Sequence, residues 1–469
     1  MNDIHRESSV SGARSDVRLV LVVAMSLAAA MGGLLFGWDW VVIGGAKPFF
    51  ERYFAISDDP VLSGWANSCA LLGCFAGAMS GGSLSEVFGR KRPLLVAAIL
   101  FGVTSIGNAL ADSFTVFVAW RILGGVAIGL ASSLSPLYIA EIAPARTRGR
   151  LVALNQLAIV VGVLSAQLVN WSLVRNLPVN ATDAFIADSW YGHFAWRWMF
   201  AITAIPSLLF MVGMAFAPES PRWLVKRRPE EARALLARIG GAAYADTALA
   251  EIQKTLSATS KSVSWRLLLA PELRRALLVG VVLAVFQQWC GINVIFNYAE
   301  EIFRASGFDI SDVVSNIAWT GSVNLAFTLV ALGLVDRVGR RPLMLFGAAS
   351  LAVIYTVLAI CFSAAISGLP MLCLVLAAIA CYAISLAPVT WVVIAEIFPN
   401  RIRGAAIAVA VGALWAASFA LTYTFPMLNS RLGSAGVFYL YASVCVAGFL
   451  FVYRYLRETK GRSLEELES

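Results

Sequence analysis

Charge is what this chain has least of. Only 14% of its 469 residues are Asp, Glu, Lys or Arg, against about 25% in soluble domains, which excludes an ordinary water-soluble globule. Histidine is nearly missing: His5 and His193 stand alone and far apart, so no histidine-built site is available. The seven cysteines, at 69, 74, 290, 361, 373, 381 and 445, lie in apolar stretches without metal-ligand spacing. They read as small packing residues, and neither a metal nor a cofactor is expected. No nucleophile–base constellation stands out, which argues against an enzyme. What the chain has in excess is apolar surface, with 59% hydrophobic residues and a mean hydropathy of +0.77.

Runs long enough to cross a ~30 Å hydrocarbon core recur along the whole length. They predict twelve membrane helices, at 19–46, 61–83, 93–111, 114–140, 151–174, 198–217, 276–299, 313–335, 342–365, 369–395, 404–428 and 435–456. The first run is too long for a signal h-region and lacks a small-residue cleavage site, so it is expected to remain. The net charge of +8 follows from loops and not from nucleic-acid binding. Arg90, Lys91, Arg92, Arg146, Arg148, Arg150, Arg337, Arg340, Arg341, Arg401 and Arg403 crowd alternate loops. The other short loops hold only Lys47, Arg52, Arg175, Arg197, Arg304 and Arg431. The positive-inside rule then places the Arg-rich loops and both termini in the cytoplasm.

The pattern Glu-Ile-x-Pro-x-Arg-x-Arg-Gly occurs twice, as Glu141–Gly149 and Glu396–Gly404. A second pair matches it: Glu86-Val87-Phe88-Gly89-Arg90-Lys91 answers Asp336-Arg337-Val338-Gly339-Arg340-Arg341. This period is too long for a solenoid and reads as duplication. The expected architecture is an all-α membrane protein of two pseudo-symmetric six-helix bundles, 19–217 and 276–456. A cytoplasmic helical linker at 218–275 separates them, and cytoplasmic tails span 1–18 and 457–469. In the linker Pro229–Ile239 is amphipathic with Pro near its start, and a second helix is expected around Asp246–Leu256. Asn180-Ala181-Thr182 matches a glycosylation sequon, which is not expected to be used.

Two duplicated bundles leave a cleft at the bilayer midplane, with access alternating by rocking. Ion pairs among the repeat-motif residues Glu141, Arg148, Glu396 and Arg403, with Asp336, Arg340 and Glu219, are expected to gate the Arg-rich end. The alternative is that these arginines only fix orientation. Asp39 is the sharpest single residue. Burying an ionised Asp at the bilayer centre costs about 2.5–3.5 kcal/mol even on the lenient insertion scale, and Arg121 is its candidate partner. An acid paired with Arg in one state and desolvated in another changes proton affinity between states, as proton coupling requires. A static pair that only orders the bundle is the alternative. Gln156, Gln287, Gln288, Asn293 and Asn324 add amides to apolar helices, and amides both donate and accept, matching a ligand made of hydroxyls. Trp391 and Trp415 offer flat faces for the C–H side of a sugar ring. Amides also glue helices together, and tryptophans also anchor at interfaces.

These residues carry a resemblance to the sugar porters of the major facilitator superfamily, over nearly the full length. Its motifs are Gly33-Leu34-Leu35-Phe36-Gly37-Trp38-Asp39, Ser135-Pro136-Leu137-Tyr138-Ile139-Ala140-Glu141, Pro218-Glu219-Ser220-Pro221-Arg222-Trp223-Leu224, Gln287-Gln288-x-x-Gly291-Ile292-Asn293 and Glu458-Thr459-Lys460-Gly461. The resemblance implies that Phe36, Gln156, Gln287, Gln288, Asn293, Asn324, Trp391 and Trp415 contact sugar. It also implies that Asp39 is the protonatable acid and Arg121 its partner. Similar facilitative carriers have Asn at the Asp39 position, so symport is expected over uniport. There are departures. Val163 stands where the bacterial xylose symporter has a second glutamine, which tilts toward a hexose such as glucose over a pentose. Asn297 replaces the first residue of a usual Tyr-Tyr pair, leaving Tyr298 for the outer gate. Ala387 stands for a usual Gly, Ser418 for a frequent Asn, and Glu86-Val87 for Asp-Arg. The expectation is a monomeric, proton-coupled monosaccharide symporter of the bacterial inner membrane, with sugar, protons and the lipid bilayer as partners. An uncoupled uniporter and a non-transporting sugar sensor are the alternatives.

Overall fold

The structure, a computed structural model, describes residues 18–144, 147–178, 182–258, 270–308, 310–398 and 403–458. A chain in hydrocarbon must satisfy its backbone internally, which leaves helices as the local solution for apolar runs of this length. The first half comprises α1 (Leu19–Tyr53), α2 (Pro60–Phe88), α3 (Lys91–Ala109), α4 (Phe114–Ile142), α5 (Arg148–Val174), α6 (Asp183–Asp188), a π-helical turn (Tyr191–Ala195), α7 (Trp196–Ala201) and α8 (Ala204–Phe216). The connector holds α9 (Pro221–Arg227) and α10 (Pro229–Ala258). The second half comprises α11 (Pro271–Trp289), α12 (Ile292–Asn297), α13 (Ala299–Ala305), α14 (Ile310–Val338), α15 (Arg340–Ser363), α16 (Leu369–Ile384), α17 (Leu386–Glu396) and α18 (Arg403–Tyr455). Among the described residues there is no strand.

Among the described residues, eleven helical stretches are long and apolar enough to cross a membrane. The last of them breaks at Gly433, whose φ is 69°, so it supplies two crossings and brings the total to the twelve the apolar runs predict. Boundaries obey local chemistry. Asp59 caps α2, its Oδ1 accepting from the backbone N–H of Val61 and Leu62, with Pro60 at the first helical position; such a cap stabilises a helix by about 1 kcal/mol. The seventh crossing is interrupted after Trp289, where Gly291 takes a φ of 89° that a side chain would resist. The tenth breaks at Ser385. The connector matches the two-helix expectation: α10 kinks at Gly241, with φ 83°. Both terminal tails (1–17 and 459–469) and the sequon residues Asn180 and Ala181 lie outside the described residues.

One boundary differs from the sequence reading in a way that matters. The first helix continues seven residues past 46 to Tyr53, through Pro48. Lys47 and Glu51 therefore lie on a buried helix, and not in a loop. The apolar run ends there, but Phe49 and Phe50 are also fully buried, so packing extends the helix beyond the hydropathy signal.

Within the first half α1 packs on α5 and α2 on α4; within the second, α18 packs on α11 and α15. The halves meet where α2 lies on α18, α5 on α14, and α1 on α12 and α13. Successive crossings alternate in direction. The α2–α3, α4–α5, α14–α15 and α17–α18 connections thus share one end, here called the Arg-rich face, and the α1–α2 turn and 298–308 mark the opposite face. Gly44 marks a close approach at that opposite face: a Cβ there would stand 2.6 Å from the carbonyl oxygen of Phe296 in the second half. Gly44→Val is expected to wedge the halves apart at this face, at the ~1–3 kcal/mol that overpacking costs. A lengthened distance between spin labels placed across the face would register it; an unchanged distance would refute the contact.

Candidate functional site

Two charges face each other inside the first half. Arg121 Nη1 donates to both carboxylate oxygens of Asp39, at 3.1 and 3.0 Å. Asp39 comes from α1 and is 7% exposed; Arg121 comes from α4 and is 3% exposed. The guanidinium carbon also lies 5.5 Å from the Phe200 ring centroid, a cation–π contact that helps replace lost hydration. Removing one partner of such a buried pair typically costs ~3–5 kcal/mol, because the other charge is left uncompensated. The pair is therefore held shut unless a proton neutralises the acid or water reaches it.

The amides collect in the second half around the break in the seventh crossing. Gln287 Nε2 donates to the Tyr382 hydroxyl at 2.6 Å, Gln288 Nε2 to Gln287 Oε1 at 2.6 Å, and Asn293 Nδ2 to Gln288 Oε1. The turn at Gly291 is what folds Asn293 back to Gln288. Asn324 is buried on α14, and Gln156 is half-buried on α5, the two helices that pack across the halves. Phe36 and Trp415 bring aromatic faces together from opposite halves, 5.9 Å apart, and Trp40 completes a triad at 6.0 Å from each. Trp391 stands apart from this triad: it is 38% exposed on α17, whereas Trp415 is 2% exposed. Tyr382 and Trp40 join the cluster without having been singled out in the sequence. Their signal is weak, since aromatics in apolar runs are usual.

The opposite face is closed by polar groups that cross between halves. Lys47 Nζ lies 2.9 Å from Glu51 Oε2 and 2.5 Å from Glu301 Oε1, the latter on α13 of the second half. Ser63 Oγ donates to Glu51 at 2.6 Å. Tyr298 is fully buried and donates its hydroxyl to the Thr422 carbonyl at 2.6 Å, with Lys47 Nζ 5.7 Å from its ring centroid. Gln167 Nε2 of α5 donates to Thr320 Oγ1 of α14 at 3.2 Å. The Lys47/Glu51 pair had a sequence signal, two opposite charges four residues apart in an apolar setting, that the early helix boundary hid.

At the Arg-rich face two ion pairs each stay within one half. Arg90 meets Glu141 at 2.8 Å, and Arg340 meets Glu396 at 3.1 Å. Ser220 donates its hydroxyl to Glu141. Glu219 accepts from the backbone N–H of Arg90 at 2.8 Å and Lys91 at 3.2 Å. Glu458 accepts from Arg340 and Arg341 at 3.0 Å each. Arg148 is exposed at the start of α5 and acts on Tyr244 of the connector, lowering a phenol pKa that burial raises more. The side chains of Asp336 and Arg403 lie outside the described set.

A cavity of about 530 Å³ sits elsewhere, between Tyr53, Leu110, His193, Arg197 and Trp198 at the opposite face. Its half-buried cation is already satisfied: Arg197 donates to the Ala109 carbonyl and the Tyr53 hydroxyl and pairs with Asp112 at 3.0 Å. It lies away from the amide cluster, which remains the better-furnished place for a polar ligand. The cysteines are unpaired, and all but Cys373 and Cys381 are buried.

A family model for the sugar (and other) transporter family matches residues 25–469. The D-xylose-proton symporter of Escherichia coli is 37% identical, with 96% of this chain and 95% of that protein covered. The arabinose-proton symporter of Bacillus subtilis is also 37% identical (95% and 94% covered). So is the glucose transport protein of Synechocystis (98% and 99% covered). Among solved structures, the inward open conformation of the Escherichia coli xylose transporter superposes with a TM-score of 0.83 at 36% identity, covering 95% of this chain and 99% of that one.

Lys47→Met removes the cation shared by Glu51 and Glu301. It is expected to weaken closure of the opposite face by about 3–5 kcal/mol. Thiols introduced along α2 near Ser63 should then label faster from that face, and unchanged labelling would count against the charged closure.

Proposed function

Because this chain belongs to the sugar transporter family, we propose that it carries a monosaccharide across a membrane by alternating access and that protons drive the transport. The buried Asp39–Arg121 pair carries the coupling part of the reading. Both charges are buried, each holds the other, and a proton on Asp39 is the simplest event that releases Arg121. Relatives named as xylose–proton and arabinose–proton symporters support coupling.

Sugar binds chiefly to the second half in this reading. Gln287, Gln288 and Asn293 already form a chain of hydrogen bonds ending at Tyr382, and a hydroxylated ligand exchanges those bonds for its own. Asn324 and Gln156 lie on the two helices that meet across the seam, and Phe36 and Trp415 supply the apolar walls, with Trp391 entering as the halves move. The relatives named for xylose and arabinose put pentoses on at least an equal footing with hexoses, in place of the hexose tilt drawn from Val163. The Arg-rich face is cytoplasmic by the positive-inside rule, with both termini on that side of a bacterial inner membrane, and one chain suffices as the working unit. Tyr298, Lys47 and Glu301 close the outer gate; Glu141, Arg148, Glu219, Asp336, Arg340, Glu396 and Arg403 serve the inner one. The bundles 19–217 and 276–456 move as the two rocking bodies, joined by 218–275.

Purified protein in liposomes, offered xylose, arabinose and glucose under an imposed pH gradient, tests this directly. Concentrative uptake of at least one sugar is expected. Asp39→Asn should abolish accumulation while sparing sugar exchange. Accumulation that survives the substitution would show that Asp39 is only structural and leave an uncoupled uniporter.

A further inference from the structure

Beside the Asp39–Arg121 pair is a cavity of about 10 Å³, lined by both residues and by Trp40, Asn67 and Asn297, with Ile43, Ala70, Leu71, Cys74 and Ile128 as its apolar walls. That is close to the ~10–15 Å³ that one water molecule needs, and a stable buried water also needs 2–4 polar partners. The lining provides them. The side-chain Oδ1 atoms of Asn67 and Asn297 and the Nε of Arg121 are all buried without a hydrogen-bond partner in the protein. Two acceptors and one donor match what a single water offers.

These groups come from both sides of the seam. Arg121 and Asn67 belong to α4 and α2 of the first half, and Asn297 ends α12 of the second. Asn297 reaches this place because Gly44 of α1 lets the backbone at Phe296 and Asn297 lie against it. The cavity is thus complete only while the opposite face is shut. Asn67 also continues outward: its Nδ2 donates to the Ser63 carbonyl at 2.9 Å and approaches Glu51 Oε1 at 3.4 Å. Glu51 in turn is held by Lys47, which crosses to Glu301. A continuous file of polar groups therefore runs from the inter-half closure to the pair in the first half.

We propose that this cavity binds one water molecule that ties Asn297 of the second half to Arg121 and Asn67 of the first, making closure of the opposite face and the charge of Asp39 depend on each other. The inference rests on the coupled-transport reading and deepens it. With Asp39 ionised, Arg121 is held by its Nη1, and its Nε donates to the water, whose two hydrogens go to Asn67 and Asn297. Neutralising Asp39 frees Arg121, the water loses its donor, and the seam loses its deepest polar contact. Linkage is reciprocal: whatever opens the face also weakens the hold on ionised Asp39. Asn297 is then a positioning residue for the proton site, contributed by the half that otherwise handles sugar.

The test is a double-mutant cycle read by spin-label distances across the opposite face in detergent or nanodiscs, without sugar. Asp39→Asn is expected to raise the open fraction about fivefold or more in the parent protein, and to add nothing once Asn297→Leu fills the cavity. Asn297→Ser, which leaves room for a second water, should restore part of the response, and it serves in place of the leucine variant if that one misfolds. Additive effects of Asp39→Asn and Asn297→Leu would overturn the proposal. So would an experimental map at water-resolving resolution with no density between Asn67 and Asn297. Sugar-evoked proton uptake by the parent protein in liposomes is measured alongside. If it is absent, the coupled reading fails, while the cycle still decides whether the water junction exists.

Discussion

A charge placed in hydrocarbon must be answered by another, and the Asp39–Arg121 pair meets that condition on two helices that cross the membrane side by side. Much of the first half follows from it. α1 and α4 must stay near enough for the bidentate contact at 3.0–3.1 Å. α2 packs between α4 and the second half, so its polar face at Asn67 looks toward the same spot. The pair is also what makes the protein more than a bundle. A buried ion pair is stable only as a pair, and in the proposed reading a proton on Asp39 is what releases it.

The architecture was legible in the sequence to a high degree, and for a simple reason. Crossing helices announce themselves by length and apolarity, because lipid enforces both. The twelve runs recur in the structure, and even the fused α18 breaks at Gly433 between its two expected crossings. The breaks at Gly291 and Ser385 were half legible: a glycine beside a polar cluster hinted at the first, and Pro388, which has no N–H to bond the carbonyl four residues back, hinted at the second. Hydropathy misjudged the end of α1, because helix length there is set by the packing of Phe49 and Phe50 and not by lipid contact.

The candidate residues could be picked out one by one, but not their arrangement. Asp39, Arg121 and the amides could be picked out because polar groups are conspicuous in apolar helices. Their connections could not. That Lys47 reaches Glu301 and that Asn297 arrives beside Arg121 depend on how one half sits on the other, and that Gln287 bonds Tyr382 depends on packing within the second half. No local pattern encodes this. Asn297 is instructive, because the sequence marked it as a departure from a usual tyrosine and gave the change no purpose. In the structure the smaller amide lines the cavity next to the acid.

The carboxylates of Glu219 and Glu458 hold the first turns of α3 and α15 in the same manner, and each comes three residues after the last membrane helix of its half, α8 ending at Phe216 and α18 at Tyr455. The duplicated unit therefore does not stop at six crossings. It carries its own clasp, a short tail that returns to fasten the unit's second turn, and the connector begins with one such clasp before it becomes a linker. A single unit built this way would have had its C-terminal edge fastened to its own bundle. Joining two copies then needed only an extension beyond the first clasp, with no repair of either bundle.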